Sequence, residues 1–276
     1  EQGLAQQSGL WRAQGWTVAS GATVRGGWPL HARLTVPGLA LSGPFGPPGG
    51  IAWSAQAVVL DVALLHPGLL TVELIGQQQL RVGPGPAIPV SAKMARAVLP
   101  LTPGVPPQRL DLALTGLRAG PPGAVLEAAR ATLGLEEQPG ATASEPAVSV
   151  TLDAADIALP PAPGGHDGGQ SWALGGRIDS LSLEADVTGP LSALPDPQAR
   201  AEAWRDGGGT VAVRRLALHW GPLNLDGSAT LALDGALQPM GTASMRLTGQ
   251  APTLDALATG HVVTPQVAQA AKAVLA

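Results

Sequence analysis

The chain of 276 residues contains no cysteine and no tyrosine, and its one phenylalanine is Phe45. Without thiols there is no cysteine nucleophile, no thiolate metal site and no disulfide framework. The compartment stays open, because an oxidising environment permits disulfides without requiring them. Charge is also sparse. Charged residues make up 13% of the chain, about half the usual share. The net charge of −4 leaves no basic footprint for nucleic acid. Tryptophan is the only aromatic present in number, with seven copies, so stacking platforms for bases are not expected either. No long apolar run escapes interruption by charge or proline, and no membrane span is expected within the chain. No signal peptide is visible. The start at Glu1-Gln2-Gly3 carries no methionine, and the expectation is that an upstream signal or anchor has been removed.

Glycine (37) and proline (27) are abundant, together with alanine and leucine. A GC-rich coding bias explains such a skew. So does a surface that is meant to be apolar and therefore carries few charges. The length suits one large all-β domain or two smaller ones, able to bury roughly three quarters of the unfolded surface.

The clearest pattern lies between Trp204 and Leu247. Val211 and Val213, then Leu216, Leu218 and Trp220, form one alternating run; Leu223, Leu225, Ala229, Leu231 and Leu233 form a second; Ala243, Met245 and Leu247 form a third. Alternation with period two predicts strands with one buried face. Gly221-Pro222 and Asp234-Gly235 supply turn chemistry between them. Similar runs occur at 16–24, 30–41, 51–59, 70–74, 80–82, about 90–99, 109–117, 148–152 and 178–187. Residues 124–135 fit a helix or a strand equally. Helices are expected at 4–16, at 196–206, where Asp196-Pro197 reads as an N-cap followed by proline at the first helical position, and within 253–276. The predicted fold is mainly β: a large antiparallel, curved sheet or sandwich with a few short helices. Two β-rich parts, 1–137 and 147–276, are divided at a polar stretch, Gln138 to Pro146, with one continuous domain as the alternative.

Motifs for chemistry are missing. Gly169-Gln170-Ser171-Trp172-Ala173 comes nearest to a nucleophile elbow and lacks its last glycine. Gly207 and Gly209 follow a helix and lead into a strand, the reverse of the order that sets a pyrophosphate on a helix N-terminus. The five histidines (His31, His66, His166, His219 and His261) show no metal-ligand spacing. No enzyme activity, metal or cofactor is expected.

Trp204, Gly207-Gly208-Gly209, Leu218-x-Trp220-Gly221-Pro222-Leu223, Leu231-x-Leu233-Asp234 and Gln238-Pro239-x-Gly241 resemble the bacterial family called domain of unknown function 2125. Gly15-Trp16, Gly26-Gly27-Trp28-Pro29-Leu30, Pro37-Gly38-Leu39 and Trp53 sit in that family's order too. The resemblance implies a Gram-negative envelope protein with an N-terminal inner-membrane anchor and a periplasmic body. The strand texture is similar to that of AsmA-like lipid-transport proteins. Three hypotheses follow. The first is a periplasmic protein that binds or transfers lipid in an apolar groove, with Trp28, Trp53, Leu218, Trp220, Leu223, Leu225, Leu231 and Leu233 as candidate lipid-binding residues. The second is a structural or assembly module of the envelope that docks a protein partner on the same face. An enzyme is the third and least supported.

Overall fold

The computed structural model describes residues 15–43, 49–102, 105, 107–162, 172–191 and 196–275. The expected helix at 4–16 lies outside them, apart from residues 15 and 16. The strands are β1 (Thr17–Ala19), β2 (Val24–Gly26), β3 (His31–Gly43), β4 (Ile51–Ala63), β5 (Leu69–Val82), β6 (Ile88–Ser91), β7 (Met94–Pro100), β8 (Arg109–Ala119), β9 (Leu126–Glu137), β10 (Pro146–Ala158), β11 (Arg177–Thr188), β12 (Val211–Trp220), β13 (Leu223–Leu233) and β14 (Pro239–Thr248). Three helices accompany them: α1 (Pro197–Asp206), α2 (Gln250–Thr259) and α3 (Pro265–Leu275).

All fourteen strands join one antiparallel sheet, mostly in sequence order. The fold is thus the expected β-rich one, and of the two forms considered it is the single sheet. β6 and β7 share one strand position, each pairing with β5 and β8; the run expected at 90–99 is broken there. The ambiguous residues 124–135 fall mainly in β9, because Leu133 and Leu135 find apolar partners at Leu152 and Val150. Gln138 to Pro146 is a hairpin connection, closed by the Gln138 N–H donating to Ala147 O at 2.8 Å. Both halves therefore lie in one sheet.

Long sheets twist, and beyond about ten strands they curl. This one also carries a transverse crease. Apolar positions in β4, β8, β9 and β10 step by three residues there instead of two: Ala55 to Val58, Leu114 to Leu117, Ala128 to Ala131, Ala154 to Ile157. In β9, Ala128 and Ala131 are buried while Ala129 and Arg130 between them are exposed. Left-handed residues mark the crease in alternate strands: Gly38 (φ 59°), Gly76 (φ 75°), Gly116 (φ 58°) and Asp156 (φ 55°). Such a residue kinks a strand as a bulge does. The unbroken alternation expected from Ile51 to Val59 is corrected accordingly: Ala57 and Val59 leave the apolar set, and so does Ala129 in the stretch that fits either a helix or a strand.

The helices sit at strand ends. The Asp196 carboxylate accepts the Ala199 N–H at 2.9 Å and caps α1. Trp204 on α1 donates its indole N–H to Thr188 O at 2.8 Å, tying the helix to the end of β11. The ring lies against Gly209, where a Cβ would come within 2.2 Å of it. The Trp204/Gly209 pairing is thus a packing device. At the opposite end, Trp172 and Trp220 pack with ring centroids 6.0 Å apart and planes tilted by 60°, Gly249 approaches Pro222, and Gly260 approaches Ala173, which seats α2 beside the β12–β13 turn.

Candidate functional site

Register shows what the alternation builds. One row of side chains crosses the sheet through Leu34, Leu60, Val72, Ala97, Leu112, Leu133, Leu152, Leu183, Leu216, Gly227 and Met245, each paired with the next. No polar residue interrupts it over eleven strands, roughly 48 Å at the usual strand spacing. A neighbouring row runs Leu114, Ala131, Ala154, Leu181, Leu218, Leu225 and Leu247. A third runs Leu110, Leu135, Val150, Ala185, Val213, Ala229 and Ala243. Side chains opposite each other in register share a face, so these rows form one apolar surface.

The other face is polar. Its corresponding row is Thr35, Val59, Glu73, Arg96, Ala113, Thr132, Asp153, Ser182, Ala217, Asp226 and Arg246. Ion pairs lie along this face, among them Arg33–Asp61 at 2.8 Å and Arg214–Asp186 at 3.1 Å. His31 Nδ1 is 2.7 Å from Asp61 Oδ1. Burial pushes the Asp61 carboxyl pKa up, and the hydrogen bonds and charges of His31 and Arg33 more than offset this, leaving it below the ordinary aspartate value.

Burial tells an open surface from a closed core. Twelve hydrophobic residues are buried among those described: Val36, Val58, Ile157 and nine alanines. No leucine, methionine or tryptophan is among them. In a two-layer core the large side chains disappear first. Here Ala95, Ala97, Ala128 and Ala131 form a buried floor, and the leucines beside them stay half-exposed. Every described strand belongs to this one sheet, so no second sheet covers the floor among the described residues. The surface is an open apolar sheet face on which buried alanines lie among half-exposed leucines.

The sequence-derived candidates divide. Leu218, Trp220, Leu223, Leu225, Leu231 and Leu233 share the apolar face, paired as Leu218–Leu225, Trp220–Leu223 and Val211–Leu231. Trp53 lies on that face between Leu41 and Leu80, across the crease and seven strand positions from Trp220, roughly 34 Å away. Trp28 is not on the face. It sits in the β2–β3 loop, 89% exposed, because Gly27 (φ 86°) turns the chain off the sheet before Pro29. Around it, Leu30, Leu64 and Leu65 are 66%, 67% and 85% exposed, which makes a second, protruding apolar patch at the strand ends. Leu112, Leu133, Leu152 and Leu183 stand on this face and are not among the sequence-derived candidates. Their alternation was visible; the register that lines them up was not.

Among the described residues no three His, Cys, Asp or Glu side chains gather as a metal-ligand set, and no helix is long and apolar enough to cross a membrane. A pocket of about 370 Å³ opens where β1 meets β3–β5, bordered by Thr17, Ser42, Trp53, Gln79 and Arg81.

No curated protein and no solved structure matches the chain. A family model does, over residues 1–276, and its description is an uncharacterised protein conserved in bacteria. The chain therefore belongs to the domain of unknown function 2125 family.

Proposed function

We propose that the apolar face is a lipid-binding trough and that the protein holds or transfers lipid without catalysing a reaction. The observation that carries this reading is the unbroken apolar row from Leu34 to Met245 over a floor of buried alanines. A surface of this size left to water is unfavourable, and large exposed apolar surfaces mark interaction sites. An acyl chain needs contact area and no specific polar partner, which suits a wall of leucines. Each buried methylene contributes roughly 0.8 kcal/mol, so a chain of about sixteen carbons offers on the order of 10 kcal/mol before association costs. The family resemblance supports a cell-envelope role, with the protein in the periplasm beside the inner membrane. Trp28, Leu30, Leu64 and Leu65 then have a role as the contact with bilayer lipid, where tryptophan is favoured at the interface. Docking of an envelope protein on the trough is the competing reading.

The test is titration of the delipidated protein with a fluorescent fatty acid, in wild type and in Leu183→Glu. Leu183 lies mid-row between Leu152 and Leu216. Saturable binding that is lost in the variant supports the trough. No binding in wild type, with full delipidation checked by mass, contradicts it.

A further inference from the structure

The two edges of the sheet are built differently. At one edge, β3 is flanked by the three-residue strands β1 and β2, and the Gly21 N–H between them donates to Pro37 O at 2.8 Å. Little of that edge is left open. At the other edge, β14 pairs with β13 on one side and with no described strand on the other. All ten of its residues are exposed.

Open edges in soluble proteins are normally blunted by lysine, a mid-strand proline, an inward charge or a bulge. β14 reads Pro239-Met240-Gly241-Thr242-Ala243-Ser244-Met245-Arg246-Leu247-Thr248. Its proline is the first residue. Its one charge, Arg246, lies on the polar face opposite Asp226, and its register with β13 runs through ten pairs without a shift. The apolar rows meanwhile continue to this edge and stop there: Leu225–Leu247, Gly227–Met245 and Ala229–Ala243. Met245 and Leu247 are 58% and 42% exposed.

We infer that β14 pairs antiparallel with β14 of a second copy of this chain, about a twofold axis normal to the sheet. The strand is self-complementary in that arrangement. Centred on Ala243, the pairing sets Met245 of one copy against Gly241 of the other, large against small. It sets Arg246 against Met240, so no like charges meet. A twofold interface is isologous and closes on itself, which fits a ten-residue edge that carries no other protection. An axis normal to the sheet keeps both apolar faces on the same side. The rows that end at the edge of one copy then run on into the next, and a trough of eleven strand positions becomes one of twenty-two. The trough is incomplete in the single chain. The pairing itself does not depend on the trough's ligand being lipid.

The absence of cysteine gives a clean test. In the full chain, Ala243→Cys places one thiol per copy at the axis. Met240→Cys is also exposed, but its two copies are three residues from the axis on opposite sides, roughly 20 Å apart, too far for a disulfide. Wild type is measured by light scattering after size exclusion, and both variants by non-reducing electrophoresis after mild oxidation. The expected results are a mass twice 27.7 kDa and cross-linking of the Ala243→Cys variant but not of Met240→Cys. A third variant, Ala243→Lys, puts like charges across the axis and is expected to halve the mass with its far-ultraviolet circular dichroism unchanged, while its thermal midpoint falls and no longer depends on protein concentration. A wild-type mass of one chain overturns the inference, as does cross-linking at position 240 equal to that at 243.

Discussion

A glutamate substituted at two points of the same row separates an open trough from a closed core. Ala131 is 7% exposed and lies on the floor between Leu114 and Ala154. Leu225 is half-buried on the wall, between Leu218 and Leu247, and the latter is 42% exposed. In Leu225→Glu the new carboxylate reaches water, so the loss is part of one leucine's burial, about 1 kcal/mol of the roughly 1.5–3 available. In Ala131→Glu the carboxylate is walled in and protonates instead. Holding the proton at neutral pH, about three units above the usual glutamate value at about 1.4 kcal/mol per unit, destabilises the fold by roughly 4 kcal/mol. That is a large fraction of the stability of an ordinary domain. Urea titration followed by tryptophan fluorescence reads both values, with an unchanged slope confirming that the native states are comparable. Equal and large losses in the two variants would refute the trough and establish a closed core. Equal and small losses would remove the floor.

Asp196→Ala removes the acceptor for the Ala199 N–H and is expected to lower stability by about 1 kcal/mol, read from the denaturation midpoint. Gly209→Ala forces a methyl group into the Trp204 ring and is expected to destabilise by about 1–3 kcal/mol, with a shift in tryptophan emission as the ring moves. Trp28→Ser combined with Leu65→Ser is expected to abolish co-flotation with anionic lipid vesicles while leaving the melt unchanged, since both side chains are almost fully exposed.

The strands were legible because the chain alternates cleanly wherever one face is apolar. The Asp196 cap was legible because an acidic residue before Pro197 leaves little else for it to do. Register was not, and register decides the site. Nothing local in Leu133 shows that it will stand between Leu112 and Leu152; that follows from hairpin geometry accumulated across the sheet. The crease was hidden for a similar reason. Gly38, Gly76 and Gly116 read as turn residues or strand interruptions, and Asp156 carries no outward sign of its left-handed backbone. Trp28 was assigned to the apolar face on residue type alone. The loop begun by Gly27 takes it off the sheet and presents it to solvent.

The most direct test of the trough is native mass spectrometry of the protein purified from its bacterial host without detergent. The expected spectrum shows the protein with added mass resolvable as lipid, and the addition is lost in Leu183→Glu. A spectrum of bare protein alone, joined by failure of the delipidated protein to take up lipid from vesicles, would contradict the account.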